Sequence, residues 1–346
     1  MRTAALLFTL LASAAVSGNE GFAGKWDLTI AVPDAAPLVG VLELEQRDGA
    51  WHAWVENGPA PVEIDGDQIA FTIDSRDRQG FRFERRLQGR LEEGRISGVM
   101  RSSDVLPTAA EYGEDGSAWS AVRQNESRSG GAEYALADFD GTWIGIRGVD
   151  IRKYTMDLTD KASAWVTAYD ARMDEPQKRC VSPGLVAATT WIFPFEVAVK
   201  EDRQRIIMLY EAFGLSRRIH LDPERMPEFY PESSMGYSKG RFTDGELIVE
   251  TPLLTPSTRD FNGEPVGENA TVVERYFLTD QGKRLNLVMH LHDPDNYNRP
   301  PIRRRAWDRN DDALIFPFEC DPDSFFRQLF NEGRMQEYID RAHMRP

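Results

Sequence analysis

Apolar and polar residues alternate at period two through most of the chain. Between Lys25 and Arg123 the clearest runs are Trp26–Val32, Leu38–Gln46, Ala50–Glu56, Gln68–Asp74, Phe81–Gly89, Arg95–Arg101 and Ala118–Arg123. Such alternation marks strands with one buried face. Turn formers separate the runs at Asp48-Gly49, Asn57-Gly58-Pro59, Asp65-Gly66 and Glu93-Gly94. About eight short strands with hairpin-length connections favour an up-and-down β-barrel over a sandwich, because no Greek-key crossover is needed.

A polar Gly/Ser-rich stretch, Gln124 to Gly131, interrupts the pattern and reads as a linker. The next apolar run opens with Phe139-x-Gly141-x-Trp143, which echoes Phe22-x-Gly24-x-Trp26. Two related β units explain the echo; a common way of opening a strand is the alternative. Further runs follow at Phe193–Glu201, Arg205–Phe213, Arg217–Asp222, Gly236–Phe242, Glu246–Thr251, Thr271–Thr279, Arg284–Asp293, Arg303–Arg309 and Ala313–Glu319. Asp321-Pro322 then supplies an N-cap with Pro at the first helical position. Phe325, Phe326, Leu329, Phe330, Tyr338 and Ile339 recur at near-helical spacing, predicting an amphipathic helix from Pro322 to about Ala342, weakened at Gly333. It is expected to cover a barrel mouth or sheet face. The expected organisation is a signal peptide (1–18), a first barrel domain (19–123), a linker (124–137) and a second barrel domain with the terminal helix (138–346). The fold class is all-β, with two lipocalin-like, up-and-down barrels.

Composition narrows the compartment and the partners. The 346 residues include 41 Lys plus Arg against 56 Asp plus Glu, a net charge of −15. That balance argues against nucleic acid and anionic membrane surfaces, which require a basic face. Residues 1–18 show Arg2, an apolar run from Ala4 to Val16, then small residues with Val16 and Gly18 at the −3 and −1 positions of a cleavage site. This is the anatomy of a secretory signal peptide, too short for a comfortable membrane span. A soluble periplasmic or secreted monomer is expected. In an oxidising compartment Cys180 and Cys320 are expected to pair.

Candidate chemistry is sparse. Gly236-Tyr237-Ser238-Lys239-Gly240 fits G-x-S-x-G but lacks the strand–turn–helix context of a nucleophile elbow. His290 and His292 share one strand face, yet Leu285, Leu287, Met289 and Leu291 form the apolar face, so the imidazoles are expected outside and no metal is assigned. Charged residues within apolar runs need a reason: Glu211, Arg217, Arg218, Arg241, Glu274, Arg275 and Asp293. Structural ion pairs across strands are the commoner outcome. Arg303-Arg304-Arg305 reads most simply as a solvated strand edge.

The order of motifs from Tyr169-Asp170, through Cys180-x-x-Pro183-Gly184, Pro194-Phe195-Glu196, Glu211 with Arg217-Arg218-Ile219, Gly236–Thr251, Glu274-Arg275, Asp293-Pro294 and Tyr297 to Cys320, resembles a family of secreted bacterial β-rich proteins. The resemblance implies an exported β-rich fold. Members usually carry His in place of Tyr237, Trp in place of Phe242, and commonly an acidic residue in place of His292. The N-terminal half resembles lipocalin-type barrels through Gly24-x-Trp26. That resemblance implies binding of small apolar ligands, or, in some relatives, hydration, isomerisation or decarboxylation of isoprenoid or aromatic substrates.

Two functions fit these observations, neither calling for a cofactor. One is an exported lipocalin-like protein holding a small apolar or amphipathic ligand in a β-barrel pocket, with Arg218, His292, Asp293 and Tyr297 as ligand contacts. The other is a metal-independent lyase, isomerase or hydratase, with Glu211 or Glu274 as acid–base groups and Tyr237, Arg241 and His290 assisting. The enzyme requires those side chains to converge on one pocket. An envelope interaction module without a pocket is the third reading.

Overall fold

The computed structural model describes residues 20–76, 81–102, 112–124, 133–146, 149–151, 155–189, 193–222 and 229–341. The expected signal peptide, and residues 125–132 of the expected linker, lie outside the described residues.

The first barrel comprises β1 (Gly24–Ile30), β2 (Leu38–Arg47), β3 (Ala50–Val55), β4 (Gly58–Ala60), β5 (Val62–Asp65), β6 (Gln68–Arg76), β7 (Arg82–Glu92), β8 (Arg95–Ser102) and β9 (Ala118–Arg123). They form one antiparallel sheet in the order β4-β3-β2-β1-β9-β8-β7-β6-β5. Its two edges are consecutive in the chain, because only Pro61 separates β4 from β5. One segment thus pairs with β3, changes partner at Pro61, and pairs with β6, wrapping the sheet around. Pro61 has no N–H to give to either ladder, while its carbonyl accepts a hydrogen bond from Thr72 N at 3.0 Å. Part of this double strand had the signature of a turn, Asn57-Gly58-Pro59. Strands of three and four residues are too short for alternation to reveal them.

The second barrel comprises β10 (Gly141–Gly145), β11 (Phe195–Lys200), β12 (Arg205–Tyr210), β13 (Ser216–His220), β14 (Ser238–Thr243), β15 (Glu246–Thr251), β18 (Thr271–Thr279), β19 (Arg284–His292) and β20 (Ile302–Arg309), closed by pairing of β20 with β10. A two-stranded ladder, β16 (Ser257–Thr258) with β17 (Pro265–Val266), lies apart from the barrel sheet. Every barrel pair is antiparallel except β13 with β14, which run parallel, with Ile219 opposite Ser238 and His220 opposite Lys239. The helices are α1 (Asp160–Ala168), α2 (Gly184–Ala188), α3 (Pro322–Asn331) and α4 (Met335–Arg341).

The Phe-x-Gly-x-Trp echo has one geometry in both halves. A 3-10 turn, Glu20–Phe22 or Leu136–Phe139, leads into the first strand. The indole Nε1 of Trp26 donates to Phe22 O at 2.8 Å, and that of Trp143 to Phe139 O at 3.1 Å. An arginine from the closing strand lies over each buried indole: Arg123 over Trp26 and Arg309 over Trp143, both 4.5 Å from the ring centroid. Each guanidinium also donates to carbonyls before the first strand, Ala23 and Gly21 in one half, Asp140 and Asp138 in the other. The intervening glycine has φ of 128° at Gly24 and 134° at Gly141. A Cβ there would lie 2.8 Å and 2.5 Å from the arginine Nη1. Glycine thus provides both the backbone conformation and the space for the arginine.

Side chains fill both interiors. Trp26, Phe22, Phe71, Leu28 and Ile30 pack the first barrel, and Trp143, Phe195, Tyr276, Trp307 and Leu247 the second, all nearly inaccessible to water. Residues so inaccessible border no water-sized void. The expected pocket within a barrel is therefore occupied by protein around these residues.

The barrels are docked together. Val39 N donates to Val149 O and Ile151 N to Val39 O, and Ile151 is buried in the first barrel's core. Arg304 pairs with the fully buried Glu56 at 3.0 Å, and Arg299 with Glu43 at 2.7 Å.

After β20 the run Ala313–Glu319 forms no strand. The closed barrel offers it no edge, and Pro317 lacks an N–H. Instead Phe316 N donates to Glu211 Oε2 at 3.0 Å and Phe318 stacks on Phe213. The Cys180–Cys320 disulfide follows, with Cα atoms 5.8 Å apart. Asp321 caps α3 by accepting from Asp323 N at 2.9 Å. The expected single helix is two, because the chain turns left-handed at Gly333 (φ 66°) between α3 and α4. Met173, Phe325 and Leu329 form a small separate core, with Met335 and Tyr338 against it. The helices thus pack on the segment tied by the disulfide.

Gly141→Ala should cost clearly more than Gly49→Ala in urea denaturation. The latter has φ 80° and open space around its Cβ position, so it carries the backbone strain alone, about 1–2 kcal/mol. Equal losses would mean that the close approach of Arg309 contributes nothing.

Candidate functional site

The centre of the second barrel holds one buried ion pair. Arg217 on β13 and Glu274 on β18 both point inward, and their side chains are 1% and 0% exposed. Arg217 Nε donates to Ser238 Oγ at 2.9 Å. Nη1 reaches Glu274 Oε1 at 3.0 Å and the Tyr276 hydroxyl at 3.5 Å. Nη2 reaches Thr251 Oγ1 at 2.9 Å and Glu274 Oε2. These contacts engage the full donor capacity of a guanidinium. Tyr276 also donates to Glu274 Oε1 at 2.8 Å, completing a dry, saturated network. Ser238, centre of the G-x-S-x-G match, is a strand residue spent in this network.

The arginine run on β20 is no solvated edge, which corrects the sequence expectation. β20 is paired on both sides, to β19 and β10. Arg303 donates to Val186 O at 2.7 Å and Arg259 O at 3.1 Å, and Arg305 to Thr189 O at 3.0 Å. These bonds fasten α2, whose five residues are all buried, to the barrel. Arg304 faces the other way, to Glu56. Period two thus gives three adjacent arginines two destinations.

A second buried charge cluster escaped the sequence reading. Arg259, Asp260 and Glu264 lie between β16 and β17, beside Arg303. The Asp260 and Glu264 carboxyls hydrogen-bond to each other. Burial and the Asp260 charge push Glu264 well above its ordinary pKa. Burial alone would raise Asp260 too, but the Glu264 hydrogen bond and the Arg259 and Arg303 charges hold it at about 2. Glu264 is therefore the member of the pair that holds a proton more tightly, while Asp260 also accepts from Asn262 N at 2.9 Å. Gly263, at the tip, lies under the Tyr169 ring and accepts from Trp165 Nε1 at 2.8 Å. The only signal was Arg-Asp-x-x-x-Glu in a turn-rich segment, where charges are ordinarily solvated.

The remaining expected site residues scatter. Glu211 holds the C-terminal segment, as described. His290 and His292 lie on the outward face of β19. Burial, then His292 and nearby arginines, lowers His290 to a pKa of about 4, so it is neutral at pH 7. Asp293 accepts from Gly267 N and Asn296 Nδ2, both at 2.8 Å, and Tyr297 donates to Pro265 O at 2.8 Å. These last two pin loops. Glu211, Glu274 and His290 thus occupy three different places.

Arg218, Tyr237 and Arg241 do come together, on the outer wall. The parallel β13–β14 seam sets outward residues Arg218 and His220 beside Tyr237, Lys239 and Arg241. Antiparallel pairing places Ile207 opposite Arg218 and Arg205 opposite His220. Tyr237 stacks on His220 with centroids 4.8 Å apart and meets the Tyr230 ring edge-on at 4.6 Å. Phe229, next to Tyr230, is 83% exposed. Among the described residues no group of three His, Cys, Asp or Glu is arranged to hold a metal, and no helix is long and apolar enough to cross a membrane. No protein-family model matches the chain, and no curated protein matches it.

Arg217→Met leaves Glu274 buried without its partner and should cost about 3–5 kcal/mol in urea denaturation. Arg217→Met combined with Glu274→Gln should recover a large part of that loss. For Glu264, a raised native pKa favours the fold fully below the unfolded value near 4.5, and that contribution is lost as pH rises through the native value. Glu264→Gln should therefore match the parent near pH 4 and exceed its thermal stability in alkali. A constant difference across pH would contradict a raised pKa at Glu264.

Proposed function

We propose that the protein is an exported binding protein that holds a small apolar or amphipathic molecule on the outer wall of its second barrel, at the β13–β14 seam. The observation that carries this reading is a shelf, the ring group of His220, Tyr237 and Tyr230, in which Tyr237 is buried while Tyr230 and its chain neighbour Phe229 are exposed. Tyr237 is buried beneath its ring neighbours, and the exposed faces of Tyr230 and Phe229 suit apolar ligands with planar or aliphatic faces. The filled interiors favour this wall over a central cavity. Export is supported by the leader-like residues 1–18, by the resemblance to secreted β-rich proteins, and by the disulfide, which persists in oxidising compartments. The acid–base alternative loses its support, because Glu274 is saturated by Arg217 and Tyr276 while Glu211 and His290 lie elsewhere.

The neutral fluorophore N-phenyl-1-naphthylamine tests the shelf. Its emission should rise saturably with one site per chain, and Phe229→Ala with Tyr230→Ala should weaken binding about tenfold or more, some ~1.4 kcal/mol. Non-saturable uptake, or affinity indifferent to both substitutions, would refute a site at the shelf.

A further inference from the structure

The arginines that stood within apolar runs divide into two groups. Arg217 meets Glu274, Arg275 meets Glu246, Arg303 and Arg305 meet backbone carbonyls, and Arg304 meets Glu56. Arg218 and Arg241 meet no carboxylate within 4 Å among the described residues, and neither does Lys239 or Arg205, their neighbours on the same wall. Arg205 Nε is shielded from water and has no hydrogen-bond partner. This happens in a chain where 56 acids face 41 bases, so partners were abundant.

Register fixes how close these cations are. Arg205 lies opposite His220, His220 opposite Lys239, and Arg241 one outward position beyond Lys239, while Arg218 is one outward position before His220. Adjacent strands are ~4.8 Å apart and alternate residues ~7 Å apart, so the set spans roughly the size of one small ligand. Among the described residues, the acids facing it are Glu250, opposite Lys239 on β15, and Asp222, whose charge reaches Tyr237. His220 adds a further titratable group. Edge protection does not account for the cations, because β12, β13 and β14 are each paired on both sides in a closed barrel.

We propose that the wall at the β13–β14 seam binds an anionic amphiphile, its apolar face on the His220 and Tyr230 rings that cover Tyr237 and its carboxylate, sulfonate or phosphate against Arg218, Lys239 and Arg241. The proposal rests on the shelf being a binding site, and adds that its ligand is an anion. Guanidinium pairs favour planar or tetrahedral oxyanions, so a carboxylate or a sulfate-like head meets the geometry.

Two probes sharing one skeleton separate the claims: neutral N-phenyl-1-naphthylamine and its sulfonate, 1-anilinonaphthalene-8-sulfonate. Titrated into the full-length protein at low salt, the sulfonate should bind about tenfold tighter, and its advantage should shrink as sodium chloride is raised. Arg218→Gln and Arg241→Gln, both exposed positions with little bearing on folding, should each bring the ratio of the two affinities toward one. Equal affinities in the parent protein, or a ratio unmoved by both substitutions, overturns the anionic assignment and leaves the shelf intact. Binding of neither probe overturns the shelf itself. Sodium sulfate alone should compete only weakly, since it lacks the apolar face. Full displacement by sulfate at the probe's own concentration would overturn the amphiphile and indicate a plain anion site.

Discussion

Each half of the molecule depends on joining its first strand to its last. A meander becomes a barrel only when those two strands find their register, and until then every strand of the sheet is within reach of an unpaired edge. Here the join is made by a buried indole and an arginine. Trp26 or Trp143 fills the base of the barrel, while Arg123 or Arg309 covers the ring and gathers carbonyls from the turn before the first strand. The guanidinium satisfies groups that would otherwise be stranded where the chain enters the barrel. The same seven-part constellation in both halves (turn, Phe, Gly, Trp, indole bond, arginine cover, carbonyl bonds) is more than a shared strand-opening tripeptide. It describes two copies of one structural solution.

Closure then governs how every charge on the second barrel is used. With no edge to guard, cations on its strands must be justified face by face. Inward, a guanidinium loses its hydration and requires a full set of acceptors, which Arg217 finds in Ser238, Glu274, Tyr276 and Thr251. Arg303 and Arg305, nearer the end of the barrel, find theirs in the carbonyls around α2, so burying that short helix and burying the arginines are a single event. Outward on β20, Arg304 is covered by the first barrel and meets Glu56. Each arrangement follows from the two-residue period and from what lies on that side of the wall.

The strands were largely legible because alternation is a local property, and one buried face is enough to impose it. The terminal helix was legible for the same reason, down to its weak point at Gly333. What alternation could not show was pairing. Ala313–Glu319 is as apolar as any buried strand, yet no edge remained to receive it. Val62–Asp65 alternates over only four residues, too few to stand out as a strand, yet it closes the first barrel. Arg303-Arg304-Arg305 looks solvated in sequence because a charge run carries no information about what covers it. Glu264 was invisible for a related reason: its character comes from Asp260 and two arginines brought together by the fold, and nothing in Arg-Asp-Phe-Asn-Gly-Glu distinguishes a buried turn from an exposed one. Tyr237 and Arg241 were singled out as groups that should converge, but only the strand order brought Arg218 beside them and left Glu211, Glu274 and His290 apart.

That strand order contains one departure, and it falls at the shelf. Parallel neighbours require the chain to return to the end it started from, so the connection from His220 to Ser238 is far longer than a hairpin. Its final stretch supplies the exposed Phe229 and Tyr230, and the Tyr230 ring covers Tyr237 just before β14. An antiparallel hairpin at this point would have needed only a few residues and would have left bare strands. The long return is thus what furnishes the wall with aromatic surface, beside cations already fixed on β12 and β13. A ligand received there need not open either barrel, since the interiors are filled and the join between first and last strands lies elsewhere. Affinity can then be tuned through side chains on one wall without disturbing the closure on which each fold depends.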